Sequence, residues 1–167
     1  FQLRWPEDVF ISPKALQLCY QIHRLLLRVR HVLHMLHSVF KRNARDRPTT
    51  TRIHISRMEA HHVVVALYQY FIGEVINPHV ETFKSSLREA GHVVSIIDAF
   101  DIMCSGIHGQ MFLDDAVVDK AINKMLQSIL LLCESQQGGA LVPSSSNEIR
   151  DVVAALRSRR RYAEEGG

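Results

Sequence analysis

The sequence predicts an all-α protein, an antiparallel helical bundle with a short extended N-terminal segment. Three observations support this. Apolar residues recur at three- and four-residue spacing over long stretches, and no segment alternates apolar with polar as a half-buried strand does. Turn signals are few, with 8 glycines and 5 prolines in 167 residues. The hydrophobic fraction of 47% is enough for one real core and a small appendage.

The stretch "FQLRWPEDVFI", residues 1–11, is aromatic and interrupted by Pro6, so it reads as an extended segment packed on the bundle through Trp5. A long first helix follows over about residues 14–42. Ser12 is its expected N-cap, and Pro13 sits at the first helical position, where a missing N–H costs nothing. At about 100° per residue, Leu18, Ile22, Leu25, Val29, Leu33, Leu36 and Phe40 share its buried side. "KRNARDRPTTTR", residues 41–52, carries Pro48 and reads as a loop.

A second helix is expected over about residues 53–77, ending before Pro78, which cannot donate a hydrogen bond within it. "SRME", from Ser56 to Glu59, offers an alternative capping-box start. Next come a short helix over residues 80–90, stopped by Gly91, and one over 93–112, weakened late by Gly106 and Gly109. "LDDAVVDKAINKMLQSILLLCES" is strongly amphipathic, with Asp114 as expected N-cap and acids in the first turn, where the helix dipole favours them. Residues 1–135 therefore form the helical domain, 136–147 ("QQGGALVPSSSN") a flexible linker, and 148–167 a terminal helix or tail. The chain starts on Phe1, so it is read as a piece of something longer.

Net charge is only +3, but the first sixty residues are rich in Lys and Arg, while residues 74–151 are rich in Asp and Glu. That asymmetry suits docking onto an acidic partner as well as a solvated face. Cys19, Cys104 and Cys133 show none of the paired spacings of zinc sites or disulfide frameworks. They read as small buried hydrophobes in a reducing compartment. The longest apolar runs, "VVVALYQYFI" and "ILLLC", are too short to span a bilayer, so no membrane partner is expected.

Three motifs invite chemistry. "HVLHMLH", residues 31–37, spaces three histidines at helical intervals, yet His31 and His34 fall among arginines. No Asp or Glu occurs from Val9 to Arg45, so this helix brings no carboxylate to a metal. Glu59 with His62, and Glu89 with His92, satisfy Glu-x-x-H, the pairing that di-metal carboxylate bundles use. That enzyme reading needs glutamates from the other helices, and the first has none. Cys104 and His108 lie four apart, without a third orienting group. The basic stretches "RNARDRPTTTR" and "RSRRRY" allow a nucleic-acid adaptor, but they lack interleaved aromatics, which argues against it. No cofactor or metal is expected.

Three longer stretches resemble the C-terminal part of gamma-tubulin complex components. "WPEDVFIS" leading into "LLLRVRHV" is similar to that family's Trp-Pro segment and "LLxVRRV" helix, matching at Trp5, Pro6, Leu26, Leu27, Val29, Arg30 and Val32. "HVVVALYQYFIGEVINP" resembles "HFVxxLQYYxxxEVxEP" at His62, Val64, Leu67, Tyr70, Glu74, Val75 and Pro78. "IIDAFDIMCSGIHGQMFL" is similar to "IIxxHxxFLxxIxxRxLL" at Ile96, Ile97, Ile107 and Leu113. Glu7, Cys19, His23, Phe100 and Gln110 depart from the pattern, as in a divergent member.

The resemblance implies a non-enzymatic structural component that binds gamma-tubulin, sits beside other complex components and helps to template microtubule nucleation. It implies a place in the cytoplasm, on the cytoskeleton at a microtubule organising centre such as a centrosome or spindle pole. Any nucleotide would be gamma-tubulin's. The cations expected to face an acidic partner are Arg24, Arg28, His31 and Arg57. Tyr20, Leu27 and Met35 interrupt that polar face, as they would on a partner-binding or a second packing surface.

Overall fold

The computed structural model describes residues 11–46 and 51–138. They are helical, as the periodicity predicts: α1 Pro13–Asp46, α2 Thr51–Gln69, a π-helical segment Tyr70–Ile76, α3 Asn77–Glu89, α4 Val93–Gln110 and α5 Ala116–Gly138. The extended segment expected before Ile11 and the terminal helix expected after residue 147 lie outside the described residues. Two compact units divide the chain. One takes α1 as far as Leu27 together with residues 68–119, and the other takes α1 from Arg28 together with residues up to Leu67 and from Lys120.

In the first unit, α1, α3 and α4 run up, down and up. Contacts between α1 and α4 ascend together, from Ser12 with Asp101 to Gln21 with His108. The α3–α4 pair is a hairpin, with Phe83 against Phe100 and the His79 ring against Gly106, where a Cβ would collide with it. In the second unit α2 returns antiparallel to α1, with His61 against His37 and His54 against Phe40.

Ser12 caps α1 as expected. Its Oγ accepts the Ala15 N–H at 3.0 Å and donates to Asp101 Oδ1 at 2.9 Å, which ties the cap to α4. The buried seam of α1 is Ala15, Ile22, Leu25, Val29, Val32, Leu36 and Val39. From Ile22 on, its steps alternate three and four, a repeat of 3.5 that keeps a seam facing its neighbours. The 100° wheel drifts from that line, which is why it selected Leu33 and Phe40. Both are only partly buried, and Val32 and Val39 take their places. Each fully buried stem contributes about 1.5–3 kcal/mol relative to exposure.

Several boundaries differ from expectation. α1 continues to Asp46 and α2 starts at Thr51, because no glycine or proline interrupts the chain before Pro48. Ser56 is therefore inside α2 and not at its start. Pro78 does not end the second helix but sits in the first turn of α3. The π segment makes this possible: the Asn77 N–H reaches back five residues to the Ile72 carbonyl, and the widened turn precedes the ring that would otherwise clash. The buried line Ala60, Val64, Leu67, Phe71 continues through the segment at Val75, and Glu74 stays in solvent. At the start of α5 the cap is Asp115, whose Oδ1 accepts the Val117 and Val118 N–H groups at 3.0 and 3.2 Å, and not Asp114. α5 then buries Ile122, Met125, Leu126, Ile129, Leu132 and Cys133, the stripe its sequence shows, and runs on to Gly138, inside the expected linker.

α4 ends in a Schellman turn. The Phe112 N–H bonds the Gly109 carbonyl at 3.0 Å, and the Leu113 N–H bonds the His108 carbonyl at 3.2 Å. The turn needs a left-handed residue, and Phe112 supplies it at φ 60°, a position that favours glycine. Its ring stacks on Tyr70, whose hydroxyl donates to the Gln110 carbonyl at 3.3 Å. Tyr70 is exposed at 36% and acts as a clasp over the end of α4. Comparing Phe112→Gly with Phe112→Ala removes the ring from both variants and isolates the backbone. Urea unfolding should find the glycine variant more stable by about 1 kcal/mol. Equal stability would show that φ is not strained.

Candidate partner-binding surface

The outer face of α1 follows from its buried one. With the seam turned inward, Tyr20, Arg24, Leu27, Arg28, His31 and His34 stand outward along the same helix. Tyr20 is 62% exposed and Leu27 53%, values that leave two large apolar side chains in water between cations. The Arg28 guanidinium donates to Asn123 Oδ1 on α5, which holds its long stem against the surface. Such a mixture of wet apolar area and fixed positive charge is what a docking face offers an acidic partner.

Arg57 does not belong to it. The expectation that Arg57 is an exposed cation is corrected by the structure: the residue is only 3% exposed and heads the buried line of α2. Its guanidinium carbon lies 4.9 Å from the Phe40 ring centroid, and its Nη2 lies 3.2 Å from His54 Nδ1. Nε and Nη1 have no hydrogen-bond partner among the described residues. Burial pulls its pKa down, with nearby Cys133 opposing. The sequence reads Arg57 as a surface cation, and the aromatic face that receives it comes from another helix.

The other motifs resolve into separate places. His31 and His34 project into solvent, and so do Glu59 and His62 on α2. Glu89 is the last residue of α3, and His92 precedes α4 across Ala90 and Gly91, so that pair shares no helix face. Among the described residues no group of three or more His, Cys, Asp or Glu side chains is placed to hold a metal ion. His108 Nε2 meets Gln21 Oε1 at 2.6 Å, while Cys104 Sγ faces Cys19 Sγ at 3.4 Å. No helix among the described residues is long and apolar enough to cross a membrane. A cleft of about 430 Å³ opens between α3 and α4, lined by His79, Phe83, Glu89, Asp98 and Met103 among others. Nothing in the sequence marks it, because its shape depends on how α3 and α4 pack together.

A family model described as gamma tubulin complex component C-terminal matches residues 1–164. The chain belongs to that family. A search of curated proteins gives no match. The match spans every described helix, so the resemblance read from three stretches holds over their whole length. Six of the residues that carry it are core: Val29, Val32, Val64, Leu67, Val75 and Ile107 are buried. Leu27, Arg30, His62 and Glu74 are exposed, so packing does not account for them.

Behind α1's outer face, His37, His61 and Phe40 meet edge to face, at 5.4 Å between the two imidazoles and 5.8 Å from Phe40 to His61. Burial holds the His61 pKa below the ordinary imidazole range, and the nearby His37 and His62 add to the effect. The unfolded chain then takes up this proton more readily than the folded one. Stability from His61 is therefore full above the ordinary imidazole pKa and drains away as pH falls through it toward the lower folded value. Urea midpoints measured from about pH 7.5 to 5.5 should fall more steeply in the native sequence than in His61→Phe, which keeps the ring contacts. Parallel curves would contradict this assignment.

Proposed function

We propose that this member of the gamma tubulin complex component family binds gamma-tubulin and helps to template microtubule nucleation, working by position and not by chemistry. The observation that carries this reading is the outer face of α1, where Tyr20 and Leu27 stand exposed among Arg24, Arg28 and His31 on a helix with no carboxylate before Asp46. Family membership supplies the partner class, and the face supplies a surface of the right character. The relevant place is the cytoplasm, on the cytoskeleton at a microtubule organising centre, beside other complex components.

A helical scaffold suits this task. A scaffold that fixes the position of each bound subunit removes the loss of translational and rotational freedom that makes a nucleus costly. It needs no catalytic group. Arg57, being buried, is left out of the proposed contact. Leu27 and Arg30 are exposed positions that also fit the family pattern, which adds them to the proposed contact.

Charge at the edge of such a face acts mainly on association rate. The double variant Arg24→Glu with Arg28→Glu should slow gamma-tubulin capture about tenfold at low salt and flatten its salt dependence. A matched reversal elsewhere, Arg88→Glu with Lys120→Glu, should leave capture within about twofold. Circular dichroism checks that each variant is folded. Unchanged capture by the α1 variant at low salt would remove this face from the interface.

A further inference from the structure

Two of the three cysteines, 85 positions apart in sequence, meet across α1 and α4 with their sulfurs 3.4 Å apart. Both are free thiols. A disulfide holds its sulfurs at about 2.05 Å, so closure needs roughly 1.4 Å of approach, within reach of small side-chain rotations. Two hydrogen bonds flank the contact on the same pair of helices, Ser12 to Asp101 at 2.9 Å and Gln21 with His108 at 2.6 Å. They fix the register of α1 on α4, so the sulfurs are held face to face.

We propose that Cys19 and Cys104 form a thiol pair that small hydroperoxides oxidise to an intramolecular disulfide, with Cys19 attacking and Cys104 resolving. Their environments divide the roles. Cys19 is partly exposed and reachable by a small oxidant, while Cys104 is only 1% exposed. The hydrogen bond from Cys104 stabilises a thiolate on Cys19 and lowers its pKa to about 7, against some opposition from burial. The same bond, burial, the Cys19 charge and Asp101 push Cys104 far up, so it keeps its proton until the second step. Cys133 is buried, raised to about 11 by that burial despite Arg57, and has no sulfur neighbour among the described residues. It serves as an internal control.

In the first step the Cys19 thiolate attacks the peroxide. An S–O bond forms and the O–O bond breaks, and the departing hydroxide takes a proton to leave as water. Cys104 then attacks the sulfenic acid sulfur. An S–S bond forms, the S–O bond breaks, and the Cys104 proton leaves with the hydroxide as a second water. Two thiols and one hydrogen peroxide become one disulfide and two waters. The bond would staple the start of α1 to α4 inside the first unit, and a low-molecular-weight thiol pool would reopen it. The partner reading of α1 is not needed for this inference.

The test treats the intact chain with dilute hydrogen peroxide, alkylates the remaining thiols and maps peptides without reduction. The expected product is a Cys19–Cys104 cross-linked peptide pair lighter by two hydrogens, absent after dithiothreitol, with Cys133 still alkylated. Cys104→Ser should leave Cys19 as a sulfenic acid that dimedone traps, and Cys19→Ser should leave Cys104 unoxidised. The proposal is overturned if Cys19 and Cys104 both stay alkylatable in the native sequence, or if Cys133 oxidises as fast as Cys19. Oxidation that links Cys19 only between molecules overturns it as well.

Discussion

The inward seam of α1 is the constraint on which the rest depends. Ile22, Leu25, Val29, Val32, Leu36 and Val39 are buried at alternating steps of three and four, and this fixes the rotation of the helix. Once that rotation is set, the outward residues have no freedom of choice. Tyr20, Arg24, Leu27, Arg28 and His31 must face water or a partner, and Cys19 must face α4. Turning the helix by one position would bury arginines and expose valines, at a cost of several kcal/mol in lost burial alone.

The second long helical run meets the same demand through irregularity. Pro78 cannot sit inside an unbroken helix, because it lacks an N–H and its ring clashes with the preceding turn. The π segment answers this by widening that turn, after which Pro78 begins a fresh helix. Phe112 is a comparable compromise, in which a bulky residue accepts a left-handed backbone while its ring stacks on Tyr70. In both places local strain or irregularity keeps neighbouring side chains in register.

Much of this was legible in the sequence, and what was not has a physical reason. Ser12, the α5 stripe and the break at Gly91 are local signals read within one turn of helix. The choice between Val32 and Leu33, or between Val39 and Phe40, depends on whether the repeat is 3.5 or 3.6, and only neighbouring helices decide that. Arg57 looks like surface until Phe40 is brought beside it. Cys19 and Cys104 look unrelated until α1 and α4 are laid parallel. Long-range partners explain these misses, whereas the family was recoverable because its pattern lies mostly in apolar positions whose order the chain preserves.

The proposed contact places the outer face of α1 against gamma-tubulin. Hydroxyl-radical footprinting of the protein with and without gamma-tubulin tests it most directly, since Tyr20 and Leu27 are exposed and reactive in the free chain. Both should become protected on binding, while the similarly exposed Val94 and Ile102 on α4 keep their labelling. Unchanged labelling of Tyr20 and Leu27 in a verified complex would contradict it.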